Sequence, residues 1–175
     1  MEARLTRQLA LVAAVSLLAG PALAATGPSD AEIAHIAYTA GSIDIDAARL
    51  ALAKSKNATV REFAQTMVRD HEAVNVQALA LVKKLGVTPQ SNATSEALTK
   101  QAAETKTRLS ALDGAAFDKA YAANETAYHG TVNGALKSTL IPSASNGELK
   151  ALLETGLTLF GEHQKHAEHL AAGLK

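Results

Sequence analysis

Residues 59–89 read TVREFAQTMVRDHEAVNVQALALVKKLGVTP, and this stretch decides the fold. Thr59-x-x-Glu62 has the spacing of a capping box, in which the hydroxyl accepts from the third helical N–H and the carboxylate reaches back. Val60, Phe63, Ala64, Met67, Val74, Ala78, Val82 and Leu85 then recur with helical period. Gly86 and, just beyond it, Pro89 end the pattern, as expected of a helix C-terminus. A helix over 59–85 with one apolar face must bury that face against other elements. One residue on the face is out of place: His71, between Met67 and Val74.

Working outward, the same signals recur. Ser29-x-x-Glu32 opens a helix over 30–54 with Ile33, Ile36, Ala40, Ile43, Ala47 and Ala51 on one stripe. Asp113, before Gly114, is a candidate N-cap for a helix over 114–140 that Leu140-Ile141-Pro142 closes. Ser145-x-x-Glu148 opens the last, over 145–173. No segment alternates with period two, so no strands are expected. Short turns join the first two helices and the last two, which makes each pair an antiparallel hairpin. Residues 86–113 are too many for a structureless loop, and Leu98, Ala102, Thr105, Leu109 and Leu112 give them a narrow helical stripe. The expected fold is all-α: a ferritin-like four-helix bundle of two antiparallel hairpins with a long, partly helical crossover. A plain five-helix bundle fits the same pattern.

The chain begins like an export leader. Arg4 and Arg7 precede an apolar run from Leu9 to Ala19, and Pro21-Ala22-Leu23-Ala24 ends in an A-x-A pattern, placing cleavage after Ala24. The run is shorter than the roughly 20 residues of a membrane span. Residues 25–175 then form a single domain in the periplasm. Two of the 17 basic residues and one of the 17 acidic ones fall in the leader, leaving 15 against 16 and a net charge of −1. With no basic run and only 3% aromatic residues, the chain carries no footprint for nucleic acid. There is no cysteine, so His and carboxylates are the metal ligands on offer. Asn57-Ala58-Thr59 and Asn92-Ala93-Thr94 fit the glycosylation pattern, but both fall where helices start and capping explains them.

Polar residues on apolar stripes carry the functional reading. At 100° per residue, Asp44 falls mid-face on the first helix, His71 on the second and His163 on the last. On the helix over 114–140, Asn124 and Glu125 flank the apolar face and His129 lies at its edge. A buried acid beside imidazoles is the raw material of a metal site or of a hydrogen-bonded polar network. Folding the first hairpin about residues 55–56 puts Asp44 opposite Met67, one turn from His71. Folding the last pair about residue 142 puts His163 near Ala122, two turns from His129. The two groups then converge only with sliding. The di-iron pattern of two E-x-x-H helices is missing, for only Glu32-x-x-His35 has the spacing and His35 points off the stripe. His163-x-x-His166-x-x-His169 rotates from inside to solvent, as on a solvated helix end.

Phe63-Ala64-x-x-Met67-Val68-x-Asp70-His71-x-x-x-Asn75, then Phe117-Asp118-x-x-Tyr121 with His129, and Glu162-His163 resemble the exported ferritin-like bacterial proteins called domain-of-unknown-function family 4142. The likeness runs from about Asp30 to Leu170. Family members usually place a Glu in a Gly-x-x-Glu-Val pattern where this chain has Gly41-Ser42-Ile43-Asp44-Ile45, an acid one methylene shorter. The resemblance implies a ferritin-like bundle behind a signal sequence, often labelled a predicted outer membrane protein, and no established reaction. The first expectation is therefore an exported, non-catalytic binding or stress-associated module in which Asp44, His71, His129 and His163 form a buried polar network. The alternative is a metal-binding or metal-dependent redox protein that uses those residues, with Glu125, to hold a divalent metal ion. A third class is envelope association, with an envelope protein or membrane surface as partner. The mixed charge of the polar faces counts against simple lipid adsorption.

Overall fold

The structure is a computed structural model and describes residues 27–174. The leader over residues 1–24 lies outside the described residues. Five helices make up the domain: α1 (Asp30–Lys54), α2 (Ala58–Leu85), α3 (Ala93–Ser110), α4 (Gly114–Ala135) and α5 (Gly147–Gly173). No strand occurs among the described residues. α1 packs on α2 and α4 on α5, two antiparallel hairpins, while α2 against α5 and α1 against α4 close the bundle. The crossover is helical over α3, which packs mainly on α1. No described helix is long and apolar enough to cross a membrane.

Helix ends follow local chemistry, with four differences from the sequence expectation. Ser29 and Glu32 form the full capping box, and Gly86 sits in the left-handed region at φ 65° as the α2 cap. There the Val87 N–H reaches the Val82 carbonyl at 2.9 Å, closing the turn that only glycine enters without strain. Thr59 does not cap α2. Asn57 does, its Oδ1 accepting from the Thr59 and Val60 N–H groups at 2.9 and 3.2 Å. Likewise Asn146, not Ser145, caps α5, through the Glu148 and Leu149 N–H groups at 2.9 and 3.1 Å. Ser145 is held otherwise: its N–H and that of Asn146 both donate to the Asp30 carboxylate, at 2.8 and 3.0 Å. Asp113 occupies the α4 N-cap position, but its carboxylate pairs with Lys54 Nζ at 2.8 Å and caps nothing.

The fourth difference is in length. Pro142 does not end the helix at residue 140, because a π-helical turn (Leu136–Leu140) intervenes and the chain stays helical over Ile141–Ser143. In that turn the Ile141 N–H bonds back five residues to the Leu136 carbonyl. The extra residue falls directly before Pro142, whose ring nitrogen has no N–H to give to the preceding turn.

The core is in two parts. One apolar cluster holds Phe63, Met67, Leu109, Phe117, Tyr121 and Leu170 with small neighbours, and lies toward the α1–α2 turn. The other holds Ile33, Ile36, Leu136, Leu140, Leu149, Leu153 and Phe160, toward the α4–α5 turn. Between them the bundle buries polar side chains. Because Asn146 alone caps α5, Asn146→Ala should lower the unfolding free energy by about 1 kcal/mol. Ser145→Ala, which leaves the backbone bond to Asp30 intact, should change it by under about 0.5 kcal/mol. Urea titration of the two variants checks this.

Candidate metal centre

All five residues singled out by the sequence meet in that middle layer. Asp44 comes from α1, His71 from α2, Glu125 and His129 one turn apart from α4, and His163 from α5, each no more than 4% exposed. The imidazoles of His71, His129 and His163 bring ring nitrogens within 4.8 Å of one another, as do the donor atoms of Asp44, Glu125 and His129. Asp44 Oδ2 stands 3.4 Å from His71 Nε2 and 3.3 Å from His129 Nε2. Neither contact is aligned as a hydrogen bond, and both Asp44 oxygens are unpartnered.

The convergence that a simple hairpin count left a turn short has two causes. Helical side chains lean toward their own N-terminus. In an antiparallel pair, Asp44 therefore leans away from the α1–α2 turn while His71 leans toward it, and the gap closes. For the second pair, the helix that continues through Pro142 moves the fold point to about residues 145–146. That shift brings His163 level with His129 rather than Ala122, with ring centroids 5.5 Å apart.

Neighbouring groups fix which nitrogen each imidazole presents. The His129 Nδ1–H donates to the Glu125 carbonyl at 3.0 Å, leaving Nε2 free toward Asp44. The His163 Nε2–H donates to Asp70 Oδ2 at 3.0 Å, leaving Nδ1 free inside the bundle. Asp70 is itself paired with Arg69 at 2.8 Å, and bonds from Arg69 and His163 outweigh burial to hold its pKa below the usual value. His71 stacks on Phe160, centroids 4.6 Å apart and planes 10° from parallel, and neither of its nitrogens has a partner. Glu125 accepts from Asn124 Nδ2 at 3.3 Å through one oxygen, and its Oε2 is free.

The role of Asp70 was not legible in the sequence. It adjoins His71 in the chain but serves His163, 93 residues away on another helix. Gly41 has a similar explanation: a Cβ there would lie 2.5 Å from Asn75 Oδ1, so glycine admits the buried Asn75, which donates to Ser42 Oγ at 3.3 Å. His35, His166 and His169 lie outside the cluster. His35 contacts Thr39, His166 is exposed with its ring edge against Phe63, and His169 is exposed.

Burial dominates the electrostatics. It raises the pKa of Asp44 to about 7 and that of Glu125 well above the usual carboxylate range, with the Asp44 charge adding to the latter. It lowers His71 to about 3 and His129 to about 4, and lowers His163 as well. The ion-free cluster is thus pushed toward neutrality from both sides. Three atoms of the donor set have the spacing to hold a metal ion. Around an ion with bonds of about 2.0–2.1 Å, tetrahedral ligand atoms lie about 3.3–3.4 Å apart. That is the spacing of Asp44 Oδ2 from the two Nε2 atoms.

Fold and site together define an all-α bundle with a buried histidine–carboxylate cluster at mid-depth. The chain belongs to the family described as "Domain of unknown function (DUF4142)", whose model matches residues 16–170. No curated protein matches it. Among solved structures it is similar to CopM in the Cu(II)-bound form, with a TM-score of 0.64 over 85% of this chain and 99% of that one, at 12% identity. That likeness is one of fold.

The buried imidazoles make acid stability informative. An unfolded chain protonates His71 near pH 6.5, the folded one only near pH 3, so its contribution to stability is complete above 6.5 and is lost as pH falls. Asp44 runs the other way, contributing stability below about pH 4 that is lost as pH rises through about 7. In chelator-treated protein, His71→Leu removes only the first dependence. Relative to wild type, the variant should gain up to about 1.4 kcal/mol per pH unit from pH 6.5 down to 4, measured by urea unfolding at fixed ionic strength.

Proposed function

We propose that this is an exported protein that holds one divalent transition-metal ion in its bundle core, with Asp44, His71, His129 and His163 as ligands and Glu125 beside them. The observation that carries this reading is the set of buried atoms without partners: both oxygens of Asp44, both nitrogens of His71, Glu125 Oε2, His129 Nε2 and His163 Nδ1. A structural network would pair these atoms with one another, since each unmade bond in the interior costs about 1–3 kcal/mol. They instead gather into two triads that share His129, each within 4.8 Å, with Asp44 Oδ2 at ligand spacing from the His71 and His129 Nε2 atoms. Bound there, a divalent ion supplies the positive charge that lets both carboxyls ionise in a buried layer.

Imidazole and carboxylate donors without thiolate favour Cu(II), Zn(II) and neighbouring ions over Cu(I). The Cu(II) named for CopM makes copper the first ion to test. The export leader read in residues 1–24 supports a periplasmic setting. Asp70 and the Glu125 carbonyl orient two of the three imidazoles, as carboxylates and carbonyls do around metal-ligating histidines.

Untagged protein released from the periplasm without chelators should carry close to one metal ion per chain by elemental analysis. His71→Leu and His163→Leu should each lose it, together with any metal-dependent rise in Tm, which corresponds to about 2.7 kcal/mol at a hundredfold excess over Kd. Metal content unchanged in both variants would sink this reading and return the cluster to a structural role. Asp70→Ala, which removes the partner of His163 Nε2 and the exposed pair with Arg69, should weaken metal affinity by about 10–100-fold while the fold survives. Competition titration against a chelator of known affinity, with far-UV circular dichroism alongside, measures that.

A further inference from the structure

The polar layer is not sealed on its side toward the α4–α5 turn. A cavity of about 350 Å³ starts at Asp44, His71 and His129 and runs toward that end of the bundle. Its origin is compositional. Ala34, Ala37, Ala40 and Gly41 on α1, Ala78 on α2 and Gly156 on α5 all line it, so small side chains meet where large ones would fill the space. Leu136 and Leu140 of the π-helical turn line it too, and such turns recur at functional sites. The volume falls within the roughly 300–1,000 Å³ of small-molecule pockets. Apolar walls hold water poorly, and an empty space of this size forfeits packing on every side.

We propose that this cavity binds an elongated aliphatic monocarboxylic acid, with its chain along the apolar walls and its carboxylate toward the His71 ring and the ion held beside it. The walls argue for the chain: Ile36, Val74, Val82, Leu98, Leu136 and Leu153 are apolar, and the polar side chains among them, Asn75, Thr94, Tyr128, Thr131 and Thr139, carry no charge to pair with a second carboxylate. The head is argued from what waits at the inner end, where His71 has both ring nitrogens unpartnered and, with one of them on the ion, keeps an N–H on the other for a carboxylate oxygen. This placing rests on the metal-centre reading, because a carboxylate beside Asp44 needs the charge of an ion to offset the repulsion. A second cavity adjoins this one. Leu98, Tyr128 and Thr131 line both this cavity and a second one of about 350 Å³ that lies beneath α3, between α1 and α4. α3 buries only Ser95 and Leu109, so it covers that seam without sealing it.

Calorimetric titration of the full mature chain with decanoate tests the proposal, in zinc-loaded, desalted protein and in chelator-treated protein. Decanoate should bind the loaded protein one to one, at least tenfold tighter than it binds the ion-free form and tenfold tighter than the ten-carbon dicarboxylate binds. Ala78→Leu and Ala37→Leu, which fill the cavity away from the ligands, should abolish decanoate binding while leaving bound zinc at one per chain and Tm equal or higher. Loaded protein that ignores decanoate, or filled variants that still bind it, would overturn the proposal while the metal reading stands. A lowered Tm in both filled variants would also count against it, since it would mean the space is already packed. Failure to load zinc would overturn the metal reading and the placing of the carboxylate with it. In that case 1-decanol binding lost in Ala78→Leu would still report an apolar ligand chamber.

Discussion

Two carboxyls and three imidazoles buried in one layer must either pair among themselves or share a positive ion, and the rest of the bundle is arranged around that requirement. Removing such groups from water is costly unless each is compensated. The cost is carried by the apolar clusters on either side, one built on Phe63, Phe117 and Tyr121, the other on Ile33, Leu136 and Leu153. Each cluster draws on both hairpins. The layer is therefore clamped from above and below, and its side chains have little freedom to turn outward and find water.

What surrounds the five residues decides how they can act. The Glu125 carbonyl and the Asp70 carboxylate each take one imidazole N–H, and so turn the other nitrogen of His129 and His163 inward. Phe160 holds the His71 ring by its face and leaves both nitrogens free. The result is two overlapping triads of donor atoms, one of three imidazoles and one of Asp44, Glu125 and His129, that share the His129 ring. The same helices that supply the donors are lined with alanine and glycine one or two turns further on, so the layer opens onto an apolar chamber instead of a packed core.

Much of this was legible in the residues. Helical periodicity, the Ser29 capping box and Gly86 gave the helices and their inward faces, and those faces already contained Asp44, His71 and His163. The narrow stripe from Leu98 to Leu112 marked the helix in the crossover. Where local reading missed, competing groups were in reach: Asn57 stands just before α2, two residues ahead of its rival Thr59, and Asp30 takes the backbone at Ser145. The length of α4 was misjudged because proline was read as a stop. A π-helical turn just before it lets the helix run on.

The sequence by itself determined that the protein is an all-helical bundle and which polar side chains face inward, because both follow from a period of 3.6 residues along each helix. Tertiary structure alone decided that those side chains meet at one depth, that Asp70 serves His163 rather than its neighbour His71, and that the layer adjoins a cavity. Each of these depends on how one helix slides against another. Periodicity fixes direction around a helix axis but says nothing about level along it, and level was set here by the turns and by the lean of the side chains.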